Sequence, residues 1–263
     1  TGLTVVNNTT ISATTPAGSA TVAVTVTVNG QSGSLPSGFT YNASVAISFV
    51  QVAAAGSQSA ASTVAVTYPS AQTAGDLSVV VVGWNDTTSA VASVKDSLGN
   101  TYNRAIGPTT GTALSESIYY AANIGAGSNT VTVTFNQAAA FPDIRILEYR
   151  GVNAVDVTAG ASGNSTTANS GSATTTFANE LIFGADIVAT TTGSAGAGFT
   201  SRIITSPDGD IAEDKIVTLA GSNNATAALS SGAWVMQMVT FASVTGPAPT
   251  VTGVSPNSGT ASG

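Results

Sequence analysis

Leu77-Ser-Val-Val-Val-Val-Gly-Trp84 is apolar at nearly every position, odd and even alike. A strand with one wet face alternates apolar and polar side chains, so an unbroken run of this kind is expected at the centre of a sheet that is covered on both sides. Val131, Val133 and Phe135 contrast with it, because Thr130, Thr132 and Thr134 fall between them and predict a strand with one solvent face. Further strand patterns cover residues 45–52, 63–68, 101–106, 115–122, 143–149, 173–177, 180–188, 199–205, 212–219 and 233–241, with turn clusters at short intervals between them. Helical signals are nearly absent: Ala138-Ala-Ala140 is too short to nucleate a helix, and Pro142 follows it. With no βαβ spacing, this pattern predicts an all-β fold for residues 44–244, an antiparallel two-sheet β-sandwich of jelly-roll-like form.

Composition narrows the setting. Charged residues make up 7% of the 263 residues, against ~25% in an ordinary soluble domain, so solubility rests on Ser, Thr, Asn and Gly. No apolar stretch approaches the ~18 residues of a membrane span. The net charge is −7, and the six cations Lys95, Arg104, Arg145, Arg150, Arg202 and Lys215 are scattered. Nucleic acid is therefore excluded as a partner, since its binding depends on neutralising phosphates. Cys and His are both absent, which removes disulfides, thiol nucleophiles, most zinc sites and the commonest general base. The polar, uncharged composition points to an extracellular location, and no signal peptide is read at the start of the chain.

The two ends have a different texture. The tail, Pro249-Thr-Val-Thr-Gly-Val-Ser-Pro-Asn-Ser-Gly259, resembles the first strand of an IPT/TIG domain, an immunoglobulin-like sandwich common in extracellular proteins. Residues 1–43 resemble the C-terminal half of the same domain, through Thr9-Thr-Ile-Ser-Ala-Thr-Thr-Pro16, Val22-Ala-Val-Thr-Val-Thr-Val28 and Gly38-Phe-Thr-Tyr41. Residues 245–263 then read as a linker and the opening strand of a next domain. Val22, Val24, Val26, Val251 and Val254 are the candidate assembly residues, because half a sandwich leaves apolar faces and strand edges in need of a partner. The resemblance implies either a tandem array or completion by another subunit, with copies meeting head to tail as in strand addition.

The centre resembles a β-sandwich module that recurs in large secreted bacterial surface proteins beside such repeats. The likeness rests on Ala74-Gly-Asp-Leu-Ser-Val-Val80, Asp96-Ser-Leu-Gly-Asn-Thr-Tyr102, Glu148-Tyr-Arg-Gly151, Glu180-Leu-Ile-Phe-Gly184, Asp210-Ile-Ala-Glu-Asp214 and Trp234-Val-Met-Gln-Met-Val-Thr-Phe241. It implies a bacterial cell-surface setting and brings no catalytic residues with it.

Candidate sites follow from residue chemistry. Asp208, Asp210 and Asp214 crowd one loop and the strand after it, an oxygen-rich arrangement that could hold calcium, although Pro207-Asp208-Gly209 is equally a hairpin turn signal. Trp84, Tyr119 and Tyr120 could present a sugar platform. Tyr119 and Tyr120 must point to opposite faces of a strand, and both Trp84 and Trp234 could instead plug the core. Asn7, Asn8, Asn42, Asn85, Asn164 and Asn224 each open an Asn-x-Ser/Thr sequon, and the Ser/Thr-rich stretch 165–176 could carry O-glycans. The carboxylates are dispersed along the chain, so no catalytic pair is assigned and the chain is read as a non-enzyme. The expected function is a structural repeat of an extracellular bacterial filament or adhesin. The alternative is a carbohydrate-binding module of a secreted polysaccharide-degrading protein.

Overall fold

The structure is a computed structural model that describes residues 4–7, 10–12, 20–28, 30–41 and 45–243. It is all-β and antiparallel, and among the described residues no helix is long and apolar enough to cross a membrane. Residues 45–244 form one compact unit. Outside it lie β1 (Thr4–Asn7) paired with β2 (Thr10–Ser12), and β3 (Ala20–Val28) paired with β4 (Gln31–Tyr41). Alternation in β3 is as its sequence predicts: Ala23, Thr25 and Thr27 are exposed, Val24 and Val26 are half-buried, and Val22 is 38% exposed.

The compact unit holds the expected jelly-roll-like sandwich twice. The first roll comprises β5 (Ser48–Gly56), β6 (Ala61–Thr67), β7 (Leu77–Trp84), β8 (Val91–Asp96), β9 (Asn103–Thr110), β10 (Ser115–Ala121), β11 (Thr130–Ala139) and β12 (Asp143–Arg150). Its sheets run β5-β12-β7-β10-β9 and β6-β11-β8. First beside eighth, eighth beside third and third beside sixth in one sheet, with second, seventh and fourth in the other, is the strand order of a jelly roll; only the fifth strand has moved to the edge beside the sixth.

The second roll repeats this order with every strand advanced by eight. It comprises β13 (Val152–Asn169), β14 (Ala173–Thr174), β15 (Glu180–Val188), β16 (Thr192–Ala195), β17 (Thr200–Ile204), β18 (Ile211–Val217), β19 (Ser222–Asn223) and β20 (Thr226–Ser243). The main sheet is β13-β20-β15-β18-β17, and β14-β19 is the reduced counterpart of β6-β11. Because β13 and β20 each continue through the corner for 18 residues, β16 joins the early part of β20 instead of β19.

The correspondence extends to register. Leu77 opposes Tyr149 as Leu181 opposes Phe241, and Val81 opposes Ile118 as Ala185 opposes Ala212. The edge strands bulge at matching places, in β9 opposite Ile118/Tyr119 and in β17 between Ser201 and Ile203. The same holds for β5 opposite Glu148/Tyr149 and for β13 between Val155 and Thr158. Each third strand is entered through the same short sequence, Ala74-Gly-Asp-Leu77 and Ala178-Asn-Glu-Leu181, with Gly75 and Asn179 both in the left-handed region, which Gly and Asn tolerate best.

The main sheets of the two rolls pack face to face. Leu77, Val79, Val81, Leu147 and Tyr149 meet Leu181, Phe183, Ala185, Val239 and Phe241 in the central core. The other face of β7, through Val80, Val82 and Trp84, packs on Val64, Val66, Val131, Val133 and Phe135. Its counterpart on β15 and β20, with Ile182, Met236 and Met238, is covered by Ala168, Ala225, Ala227 and Leu229. Both β7 and β15 are thus buried on two sides, which is why their sequences show no wet face.

The compact unit begins and ends at one place. Ser48 pairs with Arg150 and Val152 with Ser243, and Gly151 joins the two rolls between them. Gly151 has φ +81, and a Cβ there would lie 2.7 Å from the carbonyl oxygens of Val45 and Ala46, so only glycine fits. Leu77→Ala and Leu181→Ala remove matched side chains from the shared core, and each should cost about 2–5 kcal/mol. Urea unfolding followed by Trp fluorescence and by circular dichroism should remain one coincident transition in both variants, since the rolls share that core; two resolved transitions would contradict it.

Candidate functional site

The aromatic candidates are largely inside. Trp84 is 1% exposed and packs edge-to-face on Phe135 at 5.6 Å. Tyr119 and Tyr120 point to opposite faces as their adjacency requires, Tyr119 toward the outer core of the first roll and Tyr120 toward the central core, where it meets Phe241 at 5.8 Å. Both are half-buried. Trp234 is buried, with its indole N–H donated to Ser165 Oγ at 3.0 Å. Trp84 therefore offers no flat face to a ligand, because the apolar contacts that a sugar would use are taken by the core.

The acidic loop also separates. Asp214 is fully engaged: Tyr149 donates its hydroxyl to Oδ2 at 2.7 Å, and Arg202 grips both oxygens at 2.7 and 2.9 Å while lying over the Phe49 ring. Asp210 is buried and accepts the Val188 N–H at 2.8 Å, whereas Asp208 is half-exposed and accepts from Gln58. Among the described residues no three of these ligand types come together as a metal site. The turn reading of Pro207-Asp208-Gly209 holds, since it closes the hairpin between β17 and β18 with the Gly209 N–H on the Thr205 carbonyl.

Of the sequon asparagines, Asn85 and Asn164 are exposed and Asn224 is half-buried, while Asn7 falls on β1. Asn8, Asn42, Val251 and Val254 lie outside the described residues.

The most unusual chemistry centres on Arg145, which sequence reasoning did not single out, although it named the neighbouring Asp210. Arg145 is fully buried in the seam between the two rolls. Its Nη2 lies 3.2 Å from Glu116 Oε2 and its Nε 3.2 Å from Asp143 Oδ2. Across the seam, Nη1 donates to the main-chain oxygens of Asp186 at 2.6 Å and Ile211 at 2.7 Å. The arrangement is answered from the other side: Gln237, which holds the place of Arg145 in the second roll, donates to the Glu116 carbonyl at 2.9 Å and to Thr109 Oγ1 at 2.8 Å. Gly83 leaves the space for this group, as a Cβ there would stand 2.5 Å from Asp143 Oδ1 and 3.4 Å from Arg145 Nη2.

Four buried carboxylates act on this single guanidinium: Glu116 and Asp143 in direct contact, Asp210 from further off, and Asp186 from the outer face of β15, the face of Ile182 and Val188. Asp186 is well supported, accepting the Ile211 N–H at 2.8 Å and the Thr192 hydroxyl at 2.7 Å. Among the described residues Glu116 Oε1, both Asp143 carboxylate oxygens and Arg145 Nε have no hydrogen-bond partner, so Nε and Oδ2 meet as an ion pair only. Burial pushes Glu116, Asp143 and Asp210 above the usual carboxylate range, with Arg145 opposing the shift. Burial likewise raises Asp186 to about 6. For Arg145 burial acts to lower the pKa, but the Asp143 and Glu116 carboxylates outweigh it and keep the guanidinium charged. A cavity of about 220 Å³, lined in part by Gly56, Asp143, Thr205 and Asp208, reaches the edge of this cluster.

The sequence did carry one signal for it. In Asp143-Ile-Arg-Ile-Leu-Glu-Tyr149 the charges of Asp143 and Arg145 occupy alternate positions on the face that Leu147 and Tyr149 bury, and a buried charge requires a partner. No protein-family model matches the chain, and neither the curated proteins nor the solved structures contain a match to it. The cluster can hold and exchange protons and lock two sheets in register.

Replacing Arg145 with Met leaves carboxylates buried without their counter-charge and should cost about 3–5 kcal/mol. Arg202→Met, at a side chain 25% exposed, should cost clearly less. Urea denaturation at neutral pH checks the order, and a reversed order would place the structural weight on Arg202.

Proposed function

We propose that this chain is a structural module of an extracellular bacterial filament or adhesin, contacting neighbouring modules or other copies of itself through its immunoglobulin-like ends. The observation that carries the reading is the β3–β4 ribbon. Among the described residues each of its strands has only the other as partner, and Val22 stands exposed on a strand whose Val24 and Val26 are only half-covered. A lone two-stranded ribbon is marginal in water, and its free edges recruit further strands. The compact unit supports the same reading, because its largest aromatic candidate, Trp84, is spent on the core of the first roll and Asp214 on bonds to Tyr149 and Arg202.

The proposal covers the resemblance of the ends to IPT/TIG domains, the cell-surface location and the head-to-tail partnership. Replacing Val24 and Val26 with Asp puts charge on the ribbon's half-buried face. Light scattering on a concentration series should find the parent chain self-associating and the double variant monomeric, with the circular dichroism of the compact unit retained. A parent chain that stays monomeric and fully folded at high concentration would overturn the reading.

A further inference from the structure

We propose that the seam between the two rolls is a proton-operated clasp, in which protons held among Glu116, Asp143, Asp186 and Asp210 balance the cluster around Arg145 and their release loosens the seam. The argument begins with charge counting. Four ionised carboxylates against one guanidinium would leave three uncompensated negative charges in a space that water barely enters, a cost that buried groups avoid by taking up protons. The groups come from both rolls: Glu116 from β10, Asp143 and Arg145 from β12, Asp186 from β15, and Asp210 from the turn before β18. Among the described residues Lys215, which acts on Glu213, is the further cation nearby, and it lies outside the seam. Thr192 of β16 and Gln237 of β20 are neutral, Asp208 adds negative charge beside Asp143, and Glu213 adds it beside Asp186 from the far face of the sheet.

Geometry also points to Asp143 and Glu116 as the proton holders. Among the described residues both Asp143 oxygens and Glu116 Oε1 are buried without a hydrogen-bond partner, a costly state for an ionised oxygen. Asp143 and Asp210 repel one another across the seam, so the ionisation of one opposes that of the other. The cavity lined by Gly56, Asp143 and Asp208 brings solvent to the edge of Asp143.

The sign follows from linkage. Groups whose folded pKa is raised contribute stability that is complete below the unfolded carboxylate value, about 4, and is lost as pH rises through the folded value. For Asp186 that window runs to about 6, and for Glu213, raised chiefly by burial, to about 7. Asp86, Asp96 and Asp156 act in the other direction: hydrogen bonds outweigh burial and lower all three, so their contribution is lost only in stronger acid.

The test is thermal unfolding of the full chain from pH 4 to pH 9 in EDTA, for the parent and for Asp143→Asn and Asp210→Asn, whose amides imitate the protonated acid. The melting temperature of the parent should fall as pH rises across this range, and each variant should flatten the fall and melt higher than the parent at pH 9. A parent curve that is level or rises, or variants that retain the parent's slope, would overturn the clasp. Infrared spectroscopy of the parent reads the protons without any substitution. A protonated-carboxyl band present at pH 6 and gone by pH 9 is expected, and its absence at pH 6 would also overturn the proposal.

Discussion

A sheet buried on both faces has nowhere to send a charge, and the seam of this protein is built around that constraint. Its two main sheets bury their inner faces against one another, so any polar group on those faces must find its partner across the gap. Arg145 does so by donating to two carbonyl oxygens of the opposite roll, and Gln237 returns the gesture from its matching position. Apolar packing alone would tolerate sliding between two smooth faces of Val, Leu and Phe. The polar pair fixes one alignment, because a shift by one residue would strand several buried donors and acceptors at once.

The repeated strand order gives that reciprocity its cause. Two rolls with the same register, packed main sheet to main sheet, bring equivalent positions toward each other. Arg145 and Gln237 are equivalent by their pairing with Val81 and Ala185, and Glu116 and Asp210 are equivalent by their place two residues before Ile118 and Ala212. The rolls have diverged where they do not touch. The first keeps a three-stranded outer sheet, while the second reduces it to β14 and β19 and lets β13 and β20 turn the corner unbroken.

Strands covered on both sides were the legible ones. Residues 77–84 and 180–188 are read from sequence with the bounds that β7 and β15 have, because double burial demands apolar residues throughout. β13 escaped, although it is 18 residues long. Val152-Asn-Ala-Val-Asp-Val-Thr-Ala-Gly-Ala-Ser-Gly-Asn-Ser-Thr-Thr-Ala-Asn169 reads as a loop, since a half-exposed edge strand is held by main-chain pairing and small residues satisfy it. β8, β16 and β19 were missed as well, and none of them has a period-2 apolar alternation that could have betrayed it. The duplication was hidden for a related reason: the residues that set strand order are mostly interchangeable apolar ones, and only the Ala-Gly-Asp-Leu and Ala-Asn-Glu-Leu entries look alike. The seam itself lay in plain sight as Asp143 and Arg145, but which carboxylates would meet them is a matter of long-range pairing that spacing does not encode.

The meeting of β5's start, the Gly151 junction and β20's end at one edge has a mechanical meaning. Tension applied at the two ends of the compact unit would act on two neighbouring points. Such a load opens the Ser48–Arg150 and Val152–Ser243 pairs one after another, like a zip, instead of shearing whole strands in parallel.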